Sequence, residues 1–113
     1  MSFELVVVKR MLEEVNSKNS LLVDEYENFQ KEIEELKLRY TYLNSIIEFK
    51  RQKGQNPQAF KEHFGFDELA QNLSKKKKEF EEFEEQFFEK QGYNKEMISF
   101  LEQLLHETEK VQN

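Results

Sequence analysis

The chain has 113 residues, a formal net charge of −6, 37% hydrophobic and 35% charged side chains, one Pro, three Gly and no Cys. That length holds one domain, the apolar fraction is too small for a thick globular core, and the sparse Gly and Pro fit long helices with few turns. Without thiols there is no disulfide framework or thiolate metal site, and the acidic balance sets the chain against phosphate backbones and anionic lipid, so nucleic acid is not an expected partner.

Residues 1–53 predict one long helix carrying an apolar 3-4 repeat. With position a at Leu5, the a series is Leu5, Leu12, Asn19, Tyr26, Ile33, Tyr40 and Ile47, and the d series is Met1, Val8, Val15, Leu22, Phe29, Leu36 and Leu43. Only Asn19 interrupts the apolar run. A 3.5-residue period held over six heptads keeps one narrow stripe facing a partner helix, which predicts a coiled coil. The apolar start Phe3 to Val8 contains Glu4, follows no basic segment and is shorter than a secretory h-region, so export by that route is not expected. No stretch approaches the roughly 20 apolar residues of a membrane span. The expected location is intracellular, the cytoplasm first, with the nucleus left open.

Residues 54–66 predict a turn containing a short helix. Gly54 suits the left-handed position after a helix end rich in Lys50, Arg51 and Lys53, and Asn56 followed by Pro57 forms an N-cap with Pro at the first helical position. The short helix runs from Pro57 to Phe64, Gly65 ends it, and Asp67 is placed to cap a further helix beginning near Glu68.

Residues 67–113 predict the returning arm. With a at Phe66 the repeat continues through Leu69, Leu73, Phe80, Phe83, Phe87, Met97, Leu101 and Leu104 to Val111, with polar gaps at Lys76, Lys90, Asn94 and Thr108. Its phase crosses Gly92 without a slip, so a continuous or slightly kinked helix is expected. A separate third helix after Gly92, recapped by Asn94, is the alternative.

The resulting fold class is all-α, a long antiparallel helical hairpin with a short helix at the turn. In the first helix the apolar residues outside the seam fall in three groups: Phe3, Val6, Val7 and Met11; Leu21 and Val23; Leu38, Tyr42, Ile46 and Phe49. Reflected about the turn, these groups land beside Met97 to Leu105, Phe87 and Phe88, and Phe60 to Leu73, as an antiparallel hairpin requires. On that assignment the outer groups meet the returning arm, and the strict seam from Leu5 to Ile47 is left for another chain. Asn19 would set the register of that pairing, and Glu4 facing Lys9 and Glu32 facing Lys37 would permit a parallel homodimer.

No catalytic constellation accompanies this architecture. Carboxylate-bridged metal sites in bundles use Glu-x-x-His pairs, whereas Phe60 and Gln103 stand three residues before His63 and His106. Gly54, Gly65 and Gly92 stand alone and form no phosphate loop. Glu81, Glu82, Glu84 and Glu85 form a solvated run with no cleft to separate their pKa values. Lys75 to Lys78 point to all sides of a helix and are balanced by the glutamates after them. Eleven Phe residues are the other unusual feature: Phe80, Phe83 and Phe87 have the spacing of helix-in-groove anchors, although their place on the continuing seam favours a core role.

The expected function is therefore that of a non-enzymatic coiled-coil structural or adaptor subunit, without metal or other cofactor. Its partners would be proteins, as a homodimer or as a hetero-oligomer with other coiled-coil chains. The alternative is a small monomeric helical chaperone or adaptor that binds a client through its Phe-rich helix.

Overall fold

A computed structural model describes residues 2–112, with side chains through residue 110. Met1, the first d position of the seam, and the side chain of Val111, the last of the returning arm, lie outside the described residues. Three helices follow in order, α1 (Phe3–Gln52), α2 (Gln58–Phe64) and α3 (Phe66–Gln112). The fold is all-α, a helical hairpin with α1 and α3 as arms and α2 at the turn, and no strand occurs among the described residues.

Local chemistry sets the ends of these elements. Ser2 Oγ accepts a hydrogen bond from the Leu5 N–H at 3.2 Å, satisfying one of the free donors at the start of α1. At its other end Gly54 takes φ +73°, the Gln55 N–H donates to the Lys50 carbonyl at 2.9 Å, and the Gly54 N–H donates to Arg51 at 3.0 Å. This pair of bonds is a Schellman closure, and it needs a residue that tolerates the left-handed region. The Asn56 side chain accepts from the Gln58 N–H at 3.0 Å, as a capping residue does, while α2 begins at Gln58, one residue later than the sequence pattern implies.

Gly65, at φ +62°, ends α2, and its carbonyl accepts the Leu69 N–H at 3.0 Å. Because α3 starts at once at Phe66, the expected capping role of Asp67 is not realised. Asp67 and Glu68 instead lie inside the first turn, where negative charge complements the helix dipole. α3 passes through Gly92 unbroken, so the alternative of a third helix after that glycine is not adopted. Gly92 is exposed, and a Cβ there would meet nothing within 4 Å.

Two compact units share these helices, one made of Met1–Tyr26 and Glu84–Asn113, the other of Glu27–Phe83. In the first, the two segments run antiparallel. Asn19 Oδ1 accepts a hydrogen bond from Asn94 Nδ2 at 3.2 Å, and one heptad along each arm Tyr26 stacks on Phe87 with ring centroids 4.2 Å apart. Leu5, Val8, Phe87 and Leu101 form its buried core. In the second unit Phe29 packs on Phe80 and Phe83 at 5.3 and 5.5 Å, and Tyr40 stacks on Phe66 at 5.1 Å, again in antiparallel order. Ile33, Ile47, Phe66 and Leu73 are its core. Lys76 occupies a d position with its ammonium 5.7 Å from the Phe29 ring centroid and 3.6 Å from Glu32 Oε2.

Candidate interaction surface

The seam predicted for another chain faces inward. In the first unit Leu5, Val8, Leu12, Val15, Asn19, Leu22 and Tyr26, and in the second Phe29, Ile33, Leu36, Tyr40, Leu43 and Ile47, are all buried or half-buried within this single chain. Their observed partners, Asn94, Phe87, Phe83, Phe80 and Phe66, lie on α3. In each unit the seam's contacts therefore run to α3 of the same chain. α3 carries a heptad pattern of its own and is tethered by a short turn, which gives it an effective concentration that a separate chain must exceed to compete. Asn19 pairs with Asn94 of the same chain.

The partner anchors expected on α3, Phe80 and Phe83 in the second unit and Phe87 in the first, each pack on a ring of α1. Phe80 and Phe83 flank Phe29, while Phe87, 5% exposed, lies against Tyr26. Phe88, its neighbour in sequence, is the ring that stays outside, at 57% exposure. The Tyr26 hydroxyl donates to Glu84 Oε2 at 2.8 Å. That bond, then burial, then the carboxylate charge hold the phenol's pKa above its ordinary value of 10.0.

Of the outer apolar groups expected to meet the returning arm, Val6, Val7 and Val23 are half-buried and the other residues are exposed. In the first unit Phe3 and Met11 of α1 and Tyr93, Met97 and Phe100 of α3 are all exposed. Together with Val7 and Leu104 they wall a groove of about 810 Å³ whose floor is the seam itself, at Val8 and Leu101. On α3, Tyr93 and Phe100 stand one helical turn before Met97 and Leu104 of the heptad seam and widen that stripe on one side. Tyr93 turns its hydroxyl aside to Glu89 Oε1 at 3.0 Å, which raises its pKa and leaves the ring as apolar wall. The charged residues lining this groove, Glu4 and Glu96, are both acidic. The unit as a whole has six Lys and Arg against twelve Asp and Glu, a net charge of −6.

The second unit has an open apolar face of its own. Leu38, Tyr42, Ile46 and Phe49 are exposed along α1 at helical spacing, and the Lys53 ammonium lies 4.5 Å from the Phe49 ring centroid. This unit has eleven basic and eleven acidic residues and is neutral. The Lys75 to Lys78 run is on α3, where Lys75 approaches Glu79 at 4.0 Å.

Among the described residues no group of three or more His, Cys, Asp or Glu side chains is placed to hold a metal ion, and no helix is long and apolar enough to cross a membrane. Comparison with protein families, curated proteins and solved structures finds nothing that matches this chain.

Proposed function

We propose that this protein is a non-enzymatic structural or adaptor subunit, a two-helix coiled coil that keeps its heptad seam for its own fold and offers the groove of its first unit to another helical protein. One observation carries this reading: Phe3, Tyr93, Met97 and Phe100 stand exposed around an opening whose floor is the hydrophobic seam. Two helices alone leave the sides of their core uncovered, and the usual remedy in helical proteins is a further helix laid against them. Met11 and Met97 suit such a surface, since an unbranched thioether adapts to the partner's shape.

The chaperone alternative relies on Phe80, Phe83 and Phe87 as client anchors, and those rings are engaged with Phe29 and Tyr26. The adaptor reading is tested by gel filtration of native extract followed with an antibody to the chain. The wild-type protein is expected in an assembly larger than one chain, and a Phe3→Ser, Phe100→Ser variant is expected to elute free while keeping its helical circular dichroism. A wild-type chain that elutes as a free monomer would overturn the proposal.

A further inference from the structure

Charge is distributed unevenly between the two units, and the groove lies in the charged one. All of the net −6 falls on the unit formed by Met1–Tyr26 and Glu84–Asn113, whereas Glu27–Phe83 is neutral. Within the groove, Glu4 on the α1 wall and Glu96 on the α3 wall are the charged lining residues, and none of the lining residues is Lys or Arg. A second copy docked groove to groove would bring two units of −6 together, with like charges in a site partly screened from solvent, and this disfavours self-association. The same field attracts a positively charged ligand.

The apolar walls define the rest of the occupant. On α3 they extend from Tyr93 to Leu104, about 16 Å at 1.5 Å per residue, or roughly three helical turns. An amphipathic helix presents apolar anchors at i, i+4 and i+7 over that length, and its backbone polar groups are satisfied internally, so it can enter an apolar groove without unpaired donors.

Resting on the adaptor reading above, we infer that the groove between α1 and α3 in the first unit is a docking site for a basic amphipathic helix of a partner protein. Three or so large apolar side chains fill the space between Phe3, Met11, Met97 and Phe100, while Lys or Arg residues beside them pair with Glu4 and Glu96.

The test uses the full chain and two synthetic helical peptides of about four turns, identical in their Leu and Phe anchors but carrying either Lys or Glu at the flanking positions. Binding is followed by fluorescence anisotropy at low and high salt. The Lys peptide is expected to bind with one-to-one stoichiometry, at least about tenfold tighter than the Glu peptide, and more weakly as salt screens the charges. Phe100→Ser should abolish the binding, Tyr42→Ser in the other unit should leave it intact, and Glu4→Lys with Glu96→Lys should reverse the charge preference. Equal binding of both peptides, or a preference unchanged by the two Glu→Lys replacements, overturns the basic partner while sparing the adaptor reading. So does failure of both peptides with a concentration-dependent oligomer that Phe100→Ser dissolves, which identifies a second copy as the occupant. Failure of both peptides with a chain that stays monomeric overturns the inference, and elution of the wild-type chain from native extract as a free monomer then overturns the adaptor reading as well.

Discussion

Two polar contacts define the interior of the first unit. Asn19 and Asn94 occupy facing a positions, and the bond between them at 3.2 Å pairs a donor of one amide with the acceptor of the other inside a largely apolar seam. A one-heptad slip would leave both amides against hydrocarbon, so the pair discriminates against wrong registers. Replacing either by Ala is expected to cost about 1 kcal/mol, and a double-mutant cycle measured by urea unfolding should show a coupling of about 0.5–1.5 kcal/mol; a coupling near zero would remove the pair's role in register. The second contact makes stability depend on alkali. Because the Tyr26 pKa in the folded chain is raised above 10.0, chiefly by the Glu84 hydrogen bond, its contribution is fully present below pH 10.0 and is lost as pH rises through the raised folded value. Tyr26→Phe should therefore flatten the fall in stability above about pH 10 relative to wild type, as read from thermal midpoints across an alkaline series, and identical profiles would show the bond to be inconsequential.

At the scale of the helices, the three glycines have different consequences. Gly54 holds φ +73° and closes the end of α1 through the bonds from Gly54 and Gln55. Gly54→Ala is expected to destabilise the chain by about 1 kcal/mol or more, since an L side chain rarely adopts that conformation. Gly92 lies within α3, is exposed, and has open space where a Cβ would project. Gly92→Ala is expected to stabilise by up to about 1 kcal/mol through helix propensity. Opposite signs in paired urea titrations would check both positions, and a destabilising Gly92→Ala would mean that α3 bends or flexes there.

Over the whole molecule, the proposed function assigns the seam to folding and the groove to association. Ile47 is 0% exposed and Leu101 is 2% exposed, so Ile47→Ala is expected to lower stability by about 2–5 kcal/mol from lost burial and the cavity left behind. Phe100, at 61% exposure, contributes little to the fold, and Phe100→Ser should stay within about 0.5 kcal/mol of wild type in urea while losing assembly. A large loss of stability in Phe100→Ser would assign the groove to the fold instead.

Periodicity is a local property, and what depended on it was legible in the residues alone. The 3-4 repeat from Leu5 to Ile47, its continuation from Phe66 through Leu104, and the Gly54-Gln55-Asn56-Pro57 break determined an all-α hairpin with a short helix at the turn, observed as α1, α2 and α3. Phase continuity across Gly92 likewise determined an uninterrupted α3. The facing of the stripes was not legible, because α1 carries both a strict seam and a second set of apolar residues, and either can be buried by a returning helix. Tertiary packing decided it: the two heptad seams meet in step, Asn19 on Asn94 and Tyr26 on Phe87, whereas Phe3 and Met11 remain exposed beside Met97 and Phe100. A groove built from residues about 90 positions apart exists only once two helices are side by side. The sequence by itself determined which residues could be buried; the pairing of α1 with α3 decided which were, because matching two stripes over many turns removes more apolar surface from water than matching short separate patches.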